Sequence, residues 1–570
     1  MRKKLVLPAT LALALGLSIT AAAGPAAGNP TPGRVTKAKT TKIQILGLND
    51  FHGALEPPAG SGGRIGTTNA GGVEYLATHV DQLRATNPNT IFVSAGDLIG
   101  ATPLTSALFH DEPSIEAFNL MGLDYNGVGN HEFDEGVDEL LRMQNGGCHP
   151  VDGCQDGDGF AGADFDFLAA NVAYKDSGET IFPPYAIHEF DGVNIAVIGM
   201  TLEGTPDIVT PAGISHVDFF DEADSVNALV PVLKAQGIET FVVLLHEGGS
   251  VSDPITETTI NSCSNPTGAL PPIVDRMDDE IDVVVTGHTN WAVNCIIDGK
   301  IVTGAAHQGR LVTDIDLTVS RATKDVVAHT VNNVIVTRTV PKAPALTTLV
   351  NKYVGLSAPL ANRVIGSVTS TISRSANAAG ESALGDVIAD AQLNATKPAD
   401  LGGATIGFMN SGGIRADLTY VSSSAGEGDG NVTYGEAFAV QPFGNSLVTM
   451  TVTGAQIDTL LEQQFDNPGV GQNRILQVSE GFAYSWSAAA PKGSKVDPAS
   501  ITLNGVPIDP AASYRITVNN FMADGGDGYL VLREGTNRLG GDVDLDALEK
   551  YFTAQGVVAP GPQNRITKLP

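Results

Sequence analysis

At 570 residues the chain is too long for a single hydrophobic core and is expected to divide into two or three domains. Its 33 basic residues against 63 acidic ones leave a formal net charge of −30, which argues against binding a nucleic-acid polymer, since that calls for a basic surface. A small anionic ligand remains compatible, provided that arginines and metal ions are gathered in one place.

Residues 1–28 read as an export signal. Arg2, Lys3 and Lys4 make a basic start, Leu5 to Ala22 is mostly apolar, and Ala21-Ala22-Ala23-Gly24 offers small residues for cleavage. Pro8 and the small residues make this stretch weak for a membrane span, and no later run approaches the roughly twenty apolar residues a span needs. The mature protein is therefore expected to be soluble and secreted, in an extracellular or periplasmic space. Four cysteines suit that address. Cys148 and Cys154 bracket a Gly/Asp-rich insert, and Cys263 and Cys295 lie in a second region. Local pairing gives two disulfides, as an oxidising compartment permits. The alternative, a zinc site of four cysteines, lacks the usual C-x₂-C spacing.

Residues 29–41 lack periodicity and read as a disordered leader. From residue 42 onward, apolar runs of strand length alternate with helical patterns. Strands are expected at Ile43–Leu48, Ile91–Val93, Tyr125–Val128, Ile195–Ile198, Phe241–Leu245 and Ile281–Val285. Val73, Leu76, Ala77, Val80 and Leu83 mark one face of a helix, and Gly136–Gln144 and Ala223–Gln236 are further helices. This alternation indicates an α/β domain over 42–340, closing with strands at Leu311–Val319 and between Val326 and Thr339. A linker helix from Pro341 to Ser357 lies within the hinge segment 341–362. A second domain, 363–566, is expected to hold a helix at Ala383–Asn394 and strands at Ala404–Met409, Leu447–Val452 and Tyr514–Val518.

The residues that follow the apolar runs carry the chemistry. Asn49-Asp50-Phe51-His52-Gly53, Gly96-Asp97, His246 and Gly287-His288-Thr289-Asn290 each come directly after a strand, and Gly129-Asn130-His131-Glu132-Phe133-Asp134 sits on a strand-to-helix loop. Five strand ends thus present Asp50, His52, Asp97, Asn130, His246, His288 and Asn290 to one rim. Mixed hard and borderline ligands of this kind suit a pair of divalent zinc, manganese or cobalt ions better than calcium. Two such ions about 4 Å apart are the machinery for in-line attack on phosphorus. Asp134, three residues after His131, can fix the imidazole's tautomer and stabilise its protonated form. The other seven histidines (79, 110, 149, 188, 216, 307 and 329) read as ordinary surface or core residues.

Asp50-x-His52, Gly96-Asp97, Gly129-Asn130-His131-Glu132 and Gly287-His288 resemble the signature of the calcineurin-like metallophosphoesterases. With Asn49 to Gly53, Gly129 to Asp134 and Gly287 to Asn290 the resemblance narrows to the exported 5′-nucleotidase family, across nearly all of the mature chain. It implies a four-layer αββα domain carrying two metals, followed by a smaller α+β substrate-binding domain. Asp50, His52, Asp97 and Asn290 would bind one ion, and Asp97 (bridging), Asn130, His246 and His288 the other, with His131 and Asp134 as the catalytic pair.

The second domain has parts for holding a nucleotide. Asn410-Ser411-Gly412-Gly413-Ile414-Arg415 ends in an arginine that matches phosphate oxygens, and Phe443 and Phe521 lie on Gly-containing turns, where two rings can sandwich a base. The resemblance places Arg374, Asn410 and Arg415 toward phosphate, Phe443 and Phe521 around the base, and Asn445 and Asp527 on base or ribose. Ala378 stands where some relatives have another arginine. The expected activity is release of phosphate from nucleoside 5′-monophosphates. The rival readings are hydrolysis of 2′,3′-cyclic nucleotides, UDP-sugars or NAD on the same scaffold, and a non-catalytic nucleotide-binding surface protein. Oligomeric state is not legible in the sequence.

Overall fold

The structure, a computed structural model, describes residues 39–570 apart from 59, 210, 424 and 425. The expected export signal and almost all of the expected leader lie outside the described residues. Twelve strands of the first half concern the site: β1 (Thr40–Leu48), β2 (Thr90–Ser94), β3 (Tyr125–Gly127), β4 (Asp166–Leu168), β5 (Tyr185–Phe190), β6 (Val193–Met200), β7 (Phe241–Leu245), β8 (Val283–Thr286), β9 (Ala292–Ile297), β10 (Lys300–Ala305), β11 (Leu311–Ser320) and β12 (Val326–Ile335). They form two six-stranded sheets, ordered β12-β11-β1-β2-β3-β4 and β9-β10-β8-β7-β6-β5.

Ile43, Ile45, Ile91 and Val93 of one sheet share a buried cluster with Val242, Leu244, Val283 and Val285 of the other. Each sheet is covered on its other face by helices. Leu76 and Val80 of the helix Val73–Arg84, with Ile115 and Phe118 of Glu112–Met121, pack with Leu46, Leu48 and Phe92. Val226 and Val230 of Glu222–Lys234, with Val274 of Leu270–Arg276, pack with Ile198, Val243 and Val284. The result is helix, sheet, sheet, helix. Burial on both faces is why these strands read as continuous apolar runs rather than alternating ones.

The start of β1 and one hairpin differ from expectation. β1 begins at Thr40, inside the expected leader, because Thr40 and Thr41 pair with Ser320 and Val319 of the long strand β11. The hairpin β9–β10 had no counterpart in the sequence reading, although its Asp298-Gly299 turn has both residues at positive φ, the usual signature of a tight hairpin. The cysteines pair locally, Cys148 with Cys154 and Cys263 with Cys295, rather than gathering as a zinc site. Among the described residues no helix is long and apolar enough to cross a membrane.

The helix Pro344–Ala361 runs a turn beyond its expected end, with Pro359 in its last turn. It belongs to the first half by packing. Leu346 and Val350 join the apolar cluster under the first sheet, and Tyr353 is buried with its ring 4.8 Å from that of Phe109. Lys352 reaches Asp156 and Asp158 at 2.7 and 3.0 Å. Beyond it a five-stranded sheet orders Gln477–Val478, Ile406–Met409, Ser513–Asn519, Ser446–Thr453 and Thr536–Val543. The helix Ala383–Thr396 packs against it, its N-terminus capped by the Ser382 hydroxyl accepting from the Gly385 N–H. The last strand, Ile566–Leu569, pairs with Phe482–Ser487 and carries the ordered chain past residue 566.

The two sheets of the first half meet so closely that side chains are excluded at places. A Cβ on Gly199 of β6 would lie 2.1 Å from the Leu168 carbonyl oxygen of β4. Gly199→Ala should therefore force the sheets apart at a cost of about 1–3 kcal/mol, read as a lowered melting temperature. A variant that melts with the parent would show that the sheets have slack.

Candidate active site

β1, β2 and β3 run parallel, as do β6, β7 and β8, so the carboxyl ends of both sheets open onto one rim, the usual place for chemistry in such folds. Six of the seven residues expected there, all but Asn290, are joined by close contacts. Asp97 is their centre. Its Oδ2 lies 3.1 Å from His246 Nε2 and 3.7 Å from His52 Nε2, and its Oδ1 accepts the His131 backbone N–H at 3.0 Å. Asn130 Oδ1 stands 3.1 Å from His246 Nε2 and 2.9 Å from His288 Nδ1. Two groups, His52–Asp97–His131 and Asp97–His246–His288, each bring one ligand atom per residue within 4.8 Å of the others, and they share Asp97.

The donor set fits divalent cations on three counts. First, Asp50 Oδ1 and Asn290 Oδ1 are buried without a hydrogen-bond partner, which is costly unless something else satisfies them. Second, His52 and His246 spend Nδ1 on the carbonyls of Gly100 (2.9 Å) and Ala95 (2.6 Å), which turns Nε2 toward Asp97 in the manner of oriented metal-ligating imidazoles. Third, burial holds His52 and His288 down at about 3, so both rings are neutral, the form that binds metal. Burial lifts Asp50 to about 7. Burial also opposes the charged forms of Asp97 and His246, yet each stabilises the other: Asp97 falls well below the ordinary carboxylate range and His246 rises to about 10. A cation would take over the role of that shared proton. Five of the seven residues, Asp50, His52, Asp97, His288 and Asn290, adopt left-handed backbone with φ between 47° and 68°.

His131 Nδ1 lies 2.8 Å from Asp134 Oδ2, as the spacing predicts. Burial pulls the imidazole down, but Asp134 and Asp97 outweigh it and raise its pKa above the ordinary value. Sequence reasoning missed the residue that holds this loop. Glu132 is buried, and its carboxylate accepts N–H bonds from Asp97 (2.9 Å), Leu98 (2.9 Å) and Gly129 (2.8 Å), lashing the loop after β2 to the loop after β3. Asn49 does similar work between β1 and the segment after β10, donating to Asp50 and to the Ala306 carbonyl while accepting from the Ala305 N–H. Both lie inside the quoted motifs, but their side chains act on backbone that only the fold brings near.

The second half closes over the rim. A cleft of about 320 Å³ is lined by Asn130, His131, Asp134 and His288 on one wall and by Asn410, Arg415, Phe443, Asn445, Phe521 and Asp527 on the other. The Phe443 ring lies nearly parallel to that of His131, centroids 5.8 Å apart, and the Arg415 guanidinium sits 5.8 Å from the same ring. Phe521 lies against the Gly526 backbone, where a Cβ would come within 2.4 Å of the ring. Asn410 does not present a free amide. It donates to Asp527 Oδ2 (2.7 Å) and accepts from Asn519 (3.0 Å), so it positions Asp527. Arg474, absent from the sequence reading, grips the other Asp527 oxygen at 3.0 Å and lines the cleft. Arg374 is not part of this lining. It borders a smaller neighbouring cavity with Ser375, Ser382 and Gln477. His307, read as ordinary, is half-buried, and its pKa is lowered well below its usual value by burial, with Arg310, His52 and Arg415 adding to the effect.

With this geometry in place, comparison with known proteins is decisive. The calcineurin-like phosphoesterase model matches residues 43–291, and the 5′-nucleotidase C-terminal domain model matches residues 364–534. Cell wall protein Lmo0130 of Listeria monocytogenes is 31% identical over 546 residues, covering 91% of this chain and 68% of that protein. The chain belongs to the 5′-nucleotidase family. Endonuclease YhcR of Bacillus subtilis is 31% identical over 517 residues, 89% of this chain but only 39% of that protein's length. The crystal structure of a 5′-nucleotidase precursor from Thermus thermophilus superposes with a TM-score of 0.75 at 27% identity, covering 93% of this chain and 99% of that one. Membership in this family makes the chain a phosphoester hydrolase of a class that uses divalent metals.

Glu132→Gln tests the lashing. An amide replaces one acceptor oxygen with a donor that faces a backbone N–H, so about 1–3 kcal/mol of stability should be lost. Bound metal, counted by elemental analysis, should fall with it. Full metal content at unchanged melting temperature would rule out the bracing role.

Proposed function

We propose that this member of the 5′-nucleotidase family is an exported enzyme that releases phosphate from nucleoside 5′-monophosphates. The observation that carries this reading is the shared cleft: His131 and the rim face Arg415, Phe443, Asn445, Phe521 and Asp527 across about 320 Å³, enough for one nucleotide. The two disulfides and the relative named as a cell wall protein support export.

Asp50, His52, Asp97 and Asn290 would hold one divalent ion, of the zinc, manganese or cobalt type, and Asp97, Asn130, His246 and His288 the other. Such ions, when bound, supply Lewis-acid neutralisation of phosphoryl charge and an acidified water. The chain's own residues do the rest. Asp134 occupies Nδ1 of His131 and, with Asp97, favours the protonated ring, from which Nε2–H can donate to a phosphoryl oxygen as negative charge builds there. Arg415 offers a planar pair of donors to the same phosphate. Phe443 and Phe521 stack the base, and Asp527, steadied by Asn410 and Arg474, accepts from the ribose hydroxyls, with Asn445 on the base side. With Arg374 lining a neighbouring cavity and Arg474 paired with Asp527, Arg415 is the cleft arginine left to meet phosphate, which suits a single phosphate.

Substrate must enter between the halves, so they open and close about the junction after residue 361. The helix Pro344–Ala361 packs with the first half, whereas Arg363 pairs with Glu549 and lies 5.1 Å from the Tyr434 ring of the second. On this reading the hinge lies in the few residues around Asn362, at the end of the expected segment 341–362.

A hydrolysis panel of AMP, ATP, 2′,3′-cyclic AMP, UDP-glucose and NAD, with both released phosphate and nucleotide products quantified, tests the reading, with AMP expected to be turned over best. A chain inert to AMP yet active on another panel member would overturn it in favour of that substrate. His131→Ala should retain its metals and lose kcat by about 2.7–4 kcal/mol, the range for one lost donor to transition-state charge. Wild-type turnover by that variant would remove His131 from the chemistry. Phe443→Ala should weaken AMP by about 1–3 kcal/mol in KM while changing p-nitrophenyl phosphate, which has no base, much less. Equal losses on both substrates would mean that the ring is structural.

A further inference from the structure

Away from the strand-end rim, the described residues hold one further cluster that mixes imidazoles with carboxylates. Three segments meet there. The turn between the helices Leu104–Ala107 and Glu112–Met121 brings His110. The residue after Asp134 and the helix Val137–Asn145 bring Glu135 and Glu139. The loop closed by the Cys148–Cys154 disulfide brings His149. One ligand atom from each of the four lies within 4.8 Å of the others.

The two imidazoles are stacked, centroids 3.7 Å apart and planes 11° from parallel. Asp152 holds one nitrogen of each ring: its carboxylate lies 3.0 Å from His110 Nε2, and its backbone N–H donates to His149 Nδ1 at 3.2 Å. That leaves the other nitrogen of each ring away from Asp152, and His110 Nδ1 stands 3.2 Å from Glu135 Oε2. A carboxylate on the far nitrogen is the arrangement that orients a metal-ligating histidine and raises its basicity. Arg142 fixes the Glu139 carboxylate through Nε at 2.9 Å. Two imidazoles with two carboxylates suit a borderline ion such as zinc or cobalt, and not calcium, which takes oxygen ligands.

We propose that His110, Glu135, Glu139 and His149 form a third divalent-ion site of the zinc type, separate from the rim, with Asp152 orienting both histidines. Glu135 directly follows Asp134, the partner of His131, and itself lines the cleft. An ion here therefore braces the segment that carries the catalytic pair by tying it to the disulfide-closed loop. The proposal does not depend on which phosphoester the enzyme prefers.

The test counts zinc on the full-length chain. Wild type, His110→Gln, His149→Gln and, as a control elsewhere, His188→Gln are stripped with chelator and dialysed against Zn²⁺, and bound zinc per chain is measured. Both cluster variants should bind one equivalent fewer than wild type and the control, whatever number the rim holds. Equal counts in all four overturn the site and leave a cluster of ion pairs sharing protons. Where a cluster variant fails to fold, wild-type crystals grown with Zn²⁺ give a second reading at the zinc absorption edge. An anomalous peak between His110 and His149 supports the site, and peaks at the Asp97 rim alone overturn it.

Discussion

Asp97 is the residue on which the two sheets, the two ligand groups and the catalytic loop all converge. Its side chain lies between His52 and His246 and accepts the His131 N–H. Its own N–H donates to Glu132, and its carbonyl accepts from the His52 N–H at 2.9 Å. A fully buried carboxylate is tolerable only when its charge is answered on every side, and here imidazoles, backbone donors and the expected cations answer it. The rim thus forms one electrostatic unit, and removing a single member leaves buried charge behind.

The remainder of the molecule divides labour around that unit. The first half gathers the imidazoles and carboxylates of the rim, and the second brings two rings, two arginines and an anchored carboxylate to the facing wall of the cleft. In a protein with net charge −30, two arginines, Arg415 and Arg474, line this concavity, where low-dielectric walls concentrate the effect of such charges.

Much of this was legible in the sequence. The buried parallel strands announced themselves as apolar runs, and the residues directly after them supplied the rim because parallel α/β folds place their loops there. The antiparallel edges were harder. β5 carries His188 and Glu189 within a mixed, half-exposed pattern, and the Asp298-Gly299 turn was present but not weighed. At the site, the residues that line the rim and the cleft were readable from motifs, whereas those that brace them were not. Glu132, Asn49 and Arg474 act on groups distant in sequence, at positions where any polar residue would look ordinary. Asn410 shows the converse, a motif residue whose amide is already committed to Asp527 and Asn519. His110 and His149 looked ordinary for the same reason, since nothing in a linear sequence places a disulfide loop beside a helix turn.

The left-handed backbone of Asp50, His52, Asp97, His288 and Asn290 has a consequence for how such a protein can change over evolutionary time. Each of these positions stores about 1–3 kcal/mol of conformational strain that a glycine would release. Replacement by glycine would also delete a donor to the rim. At these sites selection for a sturdier fold and selection for turnover pull in opposite directions. Drift toward stability would dismantle the cage one ligand at a time and leave the architecture intact, so a descendant that had lost its chemistry would still carry the same two sheets.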